Sequence, residues 1–162
     1  MVAYLYAKHI TMRYLLISLL SVISFCAVAQ VGKINPALQK PYLPKEVKGL
    51  YIGMPKQDAM KLHKAMRVQR NPGLEYPVEN FKTGDVKKIT CQVTNEDNTV
   101  YQFIVEYRST AKAIAIAKKL FGEVNDASGK FPLGWEIKLD DGLVLKCWIF
   151  ENKICIADSR QF

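Results

Sequence analysis

Cysteine and histidine are the residues of this chain best suited to covalent or metal chemistry. Of four cysteines and two histidines, Cys26 and His9 fall in an N-terminal leader. That leaves Cys91, Cys147, Cys155 and His63. A cysteine nucleophile needs a base within hydrogen-bond reach, and nothing in the spacing brings His63 to a sulfur. A single histidine excludes a histidine-rich metal centre, and a Ser-His-Asp triad would have to use His63 alone. Helical spacing puts His63 on an apolar face, where a partly buried structural role is expected. There is no Cys-x-x-Cys, and three cysteines do not make a dense disulfide framework. Asp140-Asp141 and Asn95-Glu96-Asp97-Asn98 read as turns, because the ligand spacing of a calcium loop is absent. No glycine-rich phosphate loop occurs. The expectation is a protein without catalytic residue, metal or cofactor. The expected function is a protein-interaction module; the alternatives are a small-ligand or lipid carrier, if helices and sheet enclose an apolar pocket, and a cysteine-dependent enzyme.

The residues that could bind rather than react are basic. Lys56, Lys61, Lys64, Arg67 and Arg70 cluster early in the chain. They could meet an anionic surface, an acidic protein patch or a polyanionic glycan, or simply form a solvated helix face. Without residues 1–29, the chain has 21 basic and 15 acidic residues. The excess sits in front: residues 30–70 hold nine basic residues and two acids, while residues 71–162 hold twelve and thirteen.

The leader sets the address. Lys8 and Arg13, a mostly apolar run from Tyr14 to Val28 and the small-x-small site Ala27-Val28-Ala29 make a secretory signal peptide. Cleavage is expected between Ala29 and Gln30. Met12 opens a more compact version of the same leader, so translation starts at Met1 or Met12. A membrane anchor would need roughly 20 apolar residues, more than this run has. Lipidation at Cys26 would want a small residue before it, and Phe25 is bulky. The expected location is the periplasm or cell exterior, with no membrane span in the mature chain. An exported chain rarely meets nucleic acid, so the expected partner is an envelope protein or an anionic surface.

The elements that position these residues follow from periodicity and turn chemistry. Residues 30–47 hold three prolines and read as an extended lead-in or linker, ahead of one domain over 48–162. A short strand is expected at Lys48–Ile52. Pro55 then starts a helix with Ala59, Leu62, His63 and Met66 on one face and Lys61, Lys64 and Arg67 on the rest. A long irregular loop runs from Asn71 to about Asp85. KKITCQVTNEDNTVYQFIVEY reads as a hairpin turning at Glu96-Asp97-Asn98. It pairs Ile89 with Val105, Cys91 with Phe103 and Val93 with Tyr101.

STAKAIAIAKKLFG is a second helix, capped by Ser109 or Thr110 and stopped by Gly122. Its stripe is Ala113, Ile114, Ile116, Ala117, Leu120 and Phe121. The tail is a meander of Trp135–Leu139, Leu143–Phe150 and Lys153–Asp158. Its register sets Trp135 opposite Cys147, Ile137 opposite Leu145 and Cys147 opposite Ile156.

The fold expected is α+β: two helices on one face of an antiparallel sheet of about five strands, in the order α-β-β-α-β-β-β. Cys91 and Cys147 then both point inward, and a disulfide is open to them if their strands are neighbours. Val144, Trp148 and Phe150 point away from the helices, with Cys155 opposite Trp148. An exposed Trp–Phe pair on an open sheet marks an interface, unless the lead-in folds over it.

Two stretches carry a resemblance. LYIGMPKQDAMKLHKAM resembles the Gly-Met-(Ser/Thr)-x-x-(Glu/Asp)-Val helix start of outer-membrane assembly lipoproteins of the SmpA/OmlA type and of β-lactamase-inhibitor-like proteins. KKLFGEVN…GWEIKLDDGLVLKCWIFENKICIADS is similar to their helix end, Trp-led strand, Asp-Gly turn and closing strands. The chain departs at Pro55, where that class has a capping Ser or Thr, and lacks its Gly-x-Pro after the first helix. The resemblance implies helices on one side of a sheet and binding through a surface, commonly the open face. It carries no catalytic residue across.

Overall fold

The structure, a computed structural model, describes residues 33–71 and 74–161. The expected signal peptide, the Ala29–Gln30 cleavage point, Cys26 and the first residues of the lead-in lie outside them. The order is α1 (Pro36–Gln39), two 3-10 turns (Lys40–Tyr42 and Lys45–Val47), α2 (Lys56–Leu62), β1 (Arg67–Asn71), β2 (Leu74–Asn80), β3 (Val86–Val93) and β4 (Val100–Tyr107). Then come α3 (Thr110–Phe121), β5 (Gly134–Lys138), β6 (Val144–Phe150), β7 (Lys153–Asp158) and a closing 3-10 turn, Ser159–Gln161. The seven strands form one antiparallel sheet in the order β1-β2-β3-β4-β7-β6-β5. The class is α+β, with seven strands rather than about five and three helices rather than two.

One row of side chains shows how the sheet makes its core. Across the strands, Cys91 faces Phe103, Phe103 faces Ile156, Ile156 faces Cys147 and Cys147 faces Trp135. All five are fully buried. Period-two alternation puts them on one face, and α3 covers that face. Ala113 and Ala117 are its fully buried contacts; their small side chains let the helix sit close to the strands. Phe121 reaches Trp135, ring centroids 5.3 Å apart, and the Trp135 indole N–H donates to the Gly122 carbonyl at 3.1 Å. Ser109 caps the helix by accepting from the Lys112 N–H at 3.2 Å.

The tail meander has the expected register throughout. The central hairpin has it for Ile89–Val105 and Cys91–Phe103, but a bulge at Gln92/Val93 moves Val93 opposite Val100 instead of Tyr101. Asn98 takes the left-handed conformation expected of it, with φ 54°.

Three expectations are corrected. The lead-in is not extended: in its described part it folds as α1 and two 3-10 turns and contributes Gln39, Pro44 and Val47 to the interior. The Gln39 side chain donates to the Ile52 carbonyl at 3.1 Å and accepts from the Ile52 N–H at 2.8 Å. Those bonds occupy the polar groups a strand at Lys48–Ile52 would have paired, and 48–52 is turn and coil. Gly53, at φ 93°, completes this junction, where a β-carbon would lie 2.6 Å from Ile34 Cδ1.

The first helix is shorter than its pattern. Pro55 is its N-cap rather than its first residue, and it stops at Leu62. His63 leaves helical geometry, its Nδ1 lying 2.7 Å from Glu79 Oε2 and its Nε2 3.2 Å from the Lys48 carbonyl oxygen. A turn after it lets Met66 reach the core while Leu62 stays exposed.

The long loop is a hairpin, β1–β2. Pro77 inside β2 argues against a strand by sequence, since it cannot donate to a ladder. It is tolerated because it faces Val68 at a pair where no donor is required and because β2 pairs with β3 only from Val78 to Asn80, so its missing N–H breaks no bond on that side.

Candidate functional site

The outer face of the sheet carries the residues predicted to bind, and the structure separates them. Trp148 does pair with Cys155 across β6 and β7. It is nevertheless buried, only 7% exposed. Phe131, from the loop between α3 and β5, stacks on it with ring centroids 4.7 Å apart and planes 11° apart. Among the described residues, the cover is this loop. Phe150 remains 56% exposed, with the Lys153 ammonium 5.2 Å from its ring centre, and Val144 is half-buried. The expected Trp–Phe patch is therefore reduced to Phe150.

The covering loop is pinned at several points. Asp126 Oδ1 lies 2.9 Å from the Lys146 ammonium and accepts from the Ser128 N–H at 3.0 Å. These contacts hold the Asp126 carboxyl well below its ordinary value, at about 2. Gly134 accommodates the arrangement, since a β-carbon there would lie 2.9 Å from Asp126 Oδ2. Asn125 lies along β5, donating to the Glu136 carbonyl at 3.2 Å and accepting from the Glu136 N–H at 2.8 Å. The Asn125 side chain thus occupies both backbone groups of Glu136, and the Gly134 carbonyl accepts from the Asn125 and Asp126 N–H groups.

The opposite edge is open. All five residues of β1 are exposed. Pro77 faces Val68, so that pair is the non-hydrogen-bonded kind, and Arg67, Gln69 and Asn71 direct their backbone groups to β2. Val68 and Arg70 turn theirs outward. The basic set is spread over α2, the turn after it and β1, not along one helix. Lys61 is on α2, beside Asp58 at 2.9 Å, and Lys64 is in the turn that follows. Arg67 and Arg70 are on β1, and Arg70 reaches Glu75 at 2.7 Å. Lys56, at the start of α2, lies 3.8 Å from the same Glu75.

Three cysteines lie among the described residues. All three are free and buried. Cys91 and Cys147 cannot pair, because β4 and β7 lie between their strands. Three strand spacings are roughly 14 Å, against about 7 Å at most between bridged α-carbons. Burial pushes the Cys91 and Cys155 thiols up to about 12 and also raises that of Cys147. His63 is engaged by Glu79 and Lys48, as a structural histidine is. Among the described residues, no group of three or more His, Cys, Asp or Glu is placed to hold a metal ion.

Three hollows bear on the carrier alternative. One, of about 270 Å³, lies between the β1–β2 hairpin and the outer face, where Gln69 and Tyr76 meet Thr90, Gln92, Tyr101 and Ile104. Another, of about 660 Å³, runs between the folded lead-in and α3, lined by Leu43, Val47, Leu50, Tyr51 and Leu120 with Lys40, Lys45 and Lys48. A further hollow of about 400 Å³ shares Pro44, Lys45 and Leu120 with it and adds Ile116, Lys112 and Lys119. The apolar residues spaced among the lead-in prolines were its only sequence signal.

No family model matches this chain, and no curated protein or solved structure does either. Among the described residues, no helix is long and apolar enough to cross a membrane.

Proposed function

We propose that this protein is an exported, non-catalytic interaction module of the bacterial envelope, and that it docks an extended acidic segment of a partner protein along β1. The observation that carries the reading is the asymmetry of the two sheet edges. On the β5 edge the loop at Asn125 bonds the backbone of Glu136 and Gly134, whereas β1 is exposed along its whole length. Strand addition uses such an edge: backbone hydrogen bonds supply affinity, and flanking side chains select the partner.

Arg67 and Arg70, with Lys61 and Lys64 nearby, favour acidic residues in the incoming strand. The same charges disfavour a second copy, because β1 against β1 would bring arginines together. The outer face beside this edge, out to Phe150, extends the contact area. The signal peptide and the likeness to exported surface-binding domains supply the setting. The buried, protonated thiols favour binding over cysteine catalysis.

The test is cross-linked co-purification from the native envelope, comparing wild type with Val68→Pro. The Val68 N–H faces outward, so proline there blocks an added strand without removing a β1–β2 bond. Loss of a single abundant partner, with the thermal midpoint kept, is the expected outcome. Equal recovery of that partner by the variant would show that docking does not use this edge.

A further inference from the structure

We infer that the groove between the folded lead-in and α3 is a binding site for a single-chain anionic amphiphile, of the long-chain carboxylate type. This goes beyond edge docking and uses none of the same residues.

The floor is apolar. Leu43, Val47 and Leu50 from the lead-in side face Leu120 of α3, and the hollow of about 660 Å³ continues past Leu120 toward Ile116. That volume is within the roughly 300–1,000 Å³ range of small-molecule sites. An alkyl chain asks for nothing polar along such a floor, whereas a peptide would need partners for its backbone groups.

The rim is cationic. Lys40, Lys45, Lys48, Lys112 and Lys119 line the two joined hollows, against Glu46 and Asp85. Lys112 is engaged by Asp85 at 2.8 Å. Lys40, Lys48 and Lys119 have no ion-pair partner among the described residues, although eight other lysines of the chain do. Unpaired ammonium groups around an apolar trench complement a molecule that is apolar along its length and negative at one end. A neutral chain would leave that charge unmatched, and a cationic one would oppose it.

The test is calorimetric titration of the purified protein with dodecanoate, dodecan-1-ol and dodecyltrimethylammonium, each below its micelle concentration. Dodecanoate is expected to bind saturably, one molecule per chain, and about ten-fold or more tighter than either other amphiphile. The triple variant Lys40→Glu, Lys48→Glu, Lys119→Glu should lose at least about ten-fold in dodecanoate affinity, with the melting profile kept. Leu120→Glu, which puts a charge on the floor, should abolish binding. The rim variant keeps the test decisive if Leu120→Glu fails to fold. Equal binding of the three amphiphiles, dodecanoate affinity indifferent to the rim lysines, or binding to anionic vesicles without a saturable dodecanoate site would each overturn the inference.

Discussion

Phe131 lies flat on Trp148, with ring planes 11° apart and centroids 4.7 Å apart. This contact turns the middle of the outer sheet face from an exposed aromatic surface into a small second core with Cys155, Ala157 and Ile104. Phe131→Ala should therefore uncover Trp148. The ring pair is worth about 0.5–1.5 kcal/mol beyond the area it buries, and Phe131 is only half-buried in a loop, so the fold should survive. Tryptophan emission should shift to the red and become sensitive to a soluble quencher, while Trp135 stays protected. Unchanged emission and quenching would mean that something other than Phe131 shields Trp148.

The same loop should respond to acid. Asp126 is held at about 2, below its ordinary 3.8, chiefly by the Lys146 hydrogen bond and then by Ser128. A depressed carboxyl stabilises the folded form fully above its unfolded value, and that stabilisation is lost as pH falls through the folded value. The cover over Trp148 is thus pinned above about pH 4 and released between about 4 and 2. Lys146→Met should loosen it at neutral pH and flatten the acid transition, read by tryptophan emission against pH. An identical acid transition in wild type and Lys146→Met would separate the loop from this ion pair.

Gln39 should matter to stability although it sits among prolines in a stretch that reads as linker. It is fully buried and satisfies both backbone groups of Ile52. Gln39→Leu leaves that N–H and C=O unpaired in the interior, at a cost of about 1–3 kcal/mol. Urea unfolding would measure it. A change below about 0.5 kcal/mol, the range of ordinary surface substitutions, would show that the lead-in is not part of the cooperative unit.

Cys91, Cys147 and Cys155 should all be free thiols. Each is buried, and Cys91 and Cys147 are separated by two intervening strands. A thiol reagent should leave the native protein almost unmodified at neutral pH and titrate all three cysteines once it is unfolded without reductant. A count of one thiol in the unfolded, unreduced protein would reveal a disulfide and contradict the strand order.

Much of the fold can be read along the chain, and particular residues show why. Trp135–Cys147, Ile137–Leu145 and Cys147–Ile156 pair as period-two alternation and the tight turns at Gly142 and Glu151 require. Both determinants are local. The short first helix is not legible in that way. Ala59, Leu62, His63 and Met66 have helical spacing, yet the helix ends where His63 turns to Glu79, sixteen residues on. The β1–β2 hairpin is hidden for a related reason. RVQRN is polar on both faces and LEYPVEN contains a proline, which a ladder tolerates only where no donor is required; β2 meets β3 only from Val78 to Asn80, and that limit belongs to the assembled sheet.

By itself, then, the sequence determines the α+β class, the face that β3 to β7 each bury and the early excess of positive charge. These follow from composition, hydrophobic period and turn chemistry acting over a few residues. The tertiary structure alone decides which surfaces stay open. It puts two strands between Cys91 and Cys147, lays Phe131 over Trp148, ties the lead-in down through Gln39 and closes β5 with Asn125. It leaves β1 exposed and opens a lysine-rimmed groove beside α3. Each outcome depends on groups distant in sequence meeting in space, and no local pattern encodes those meetings.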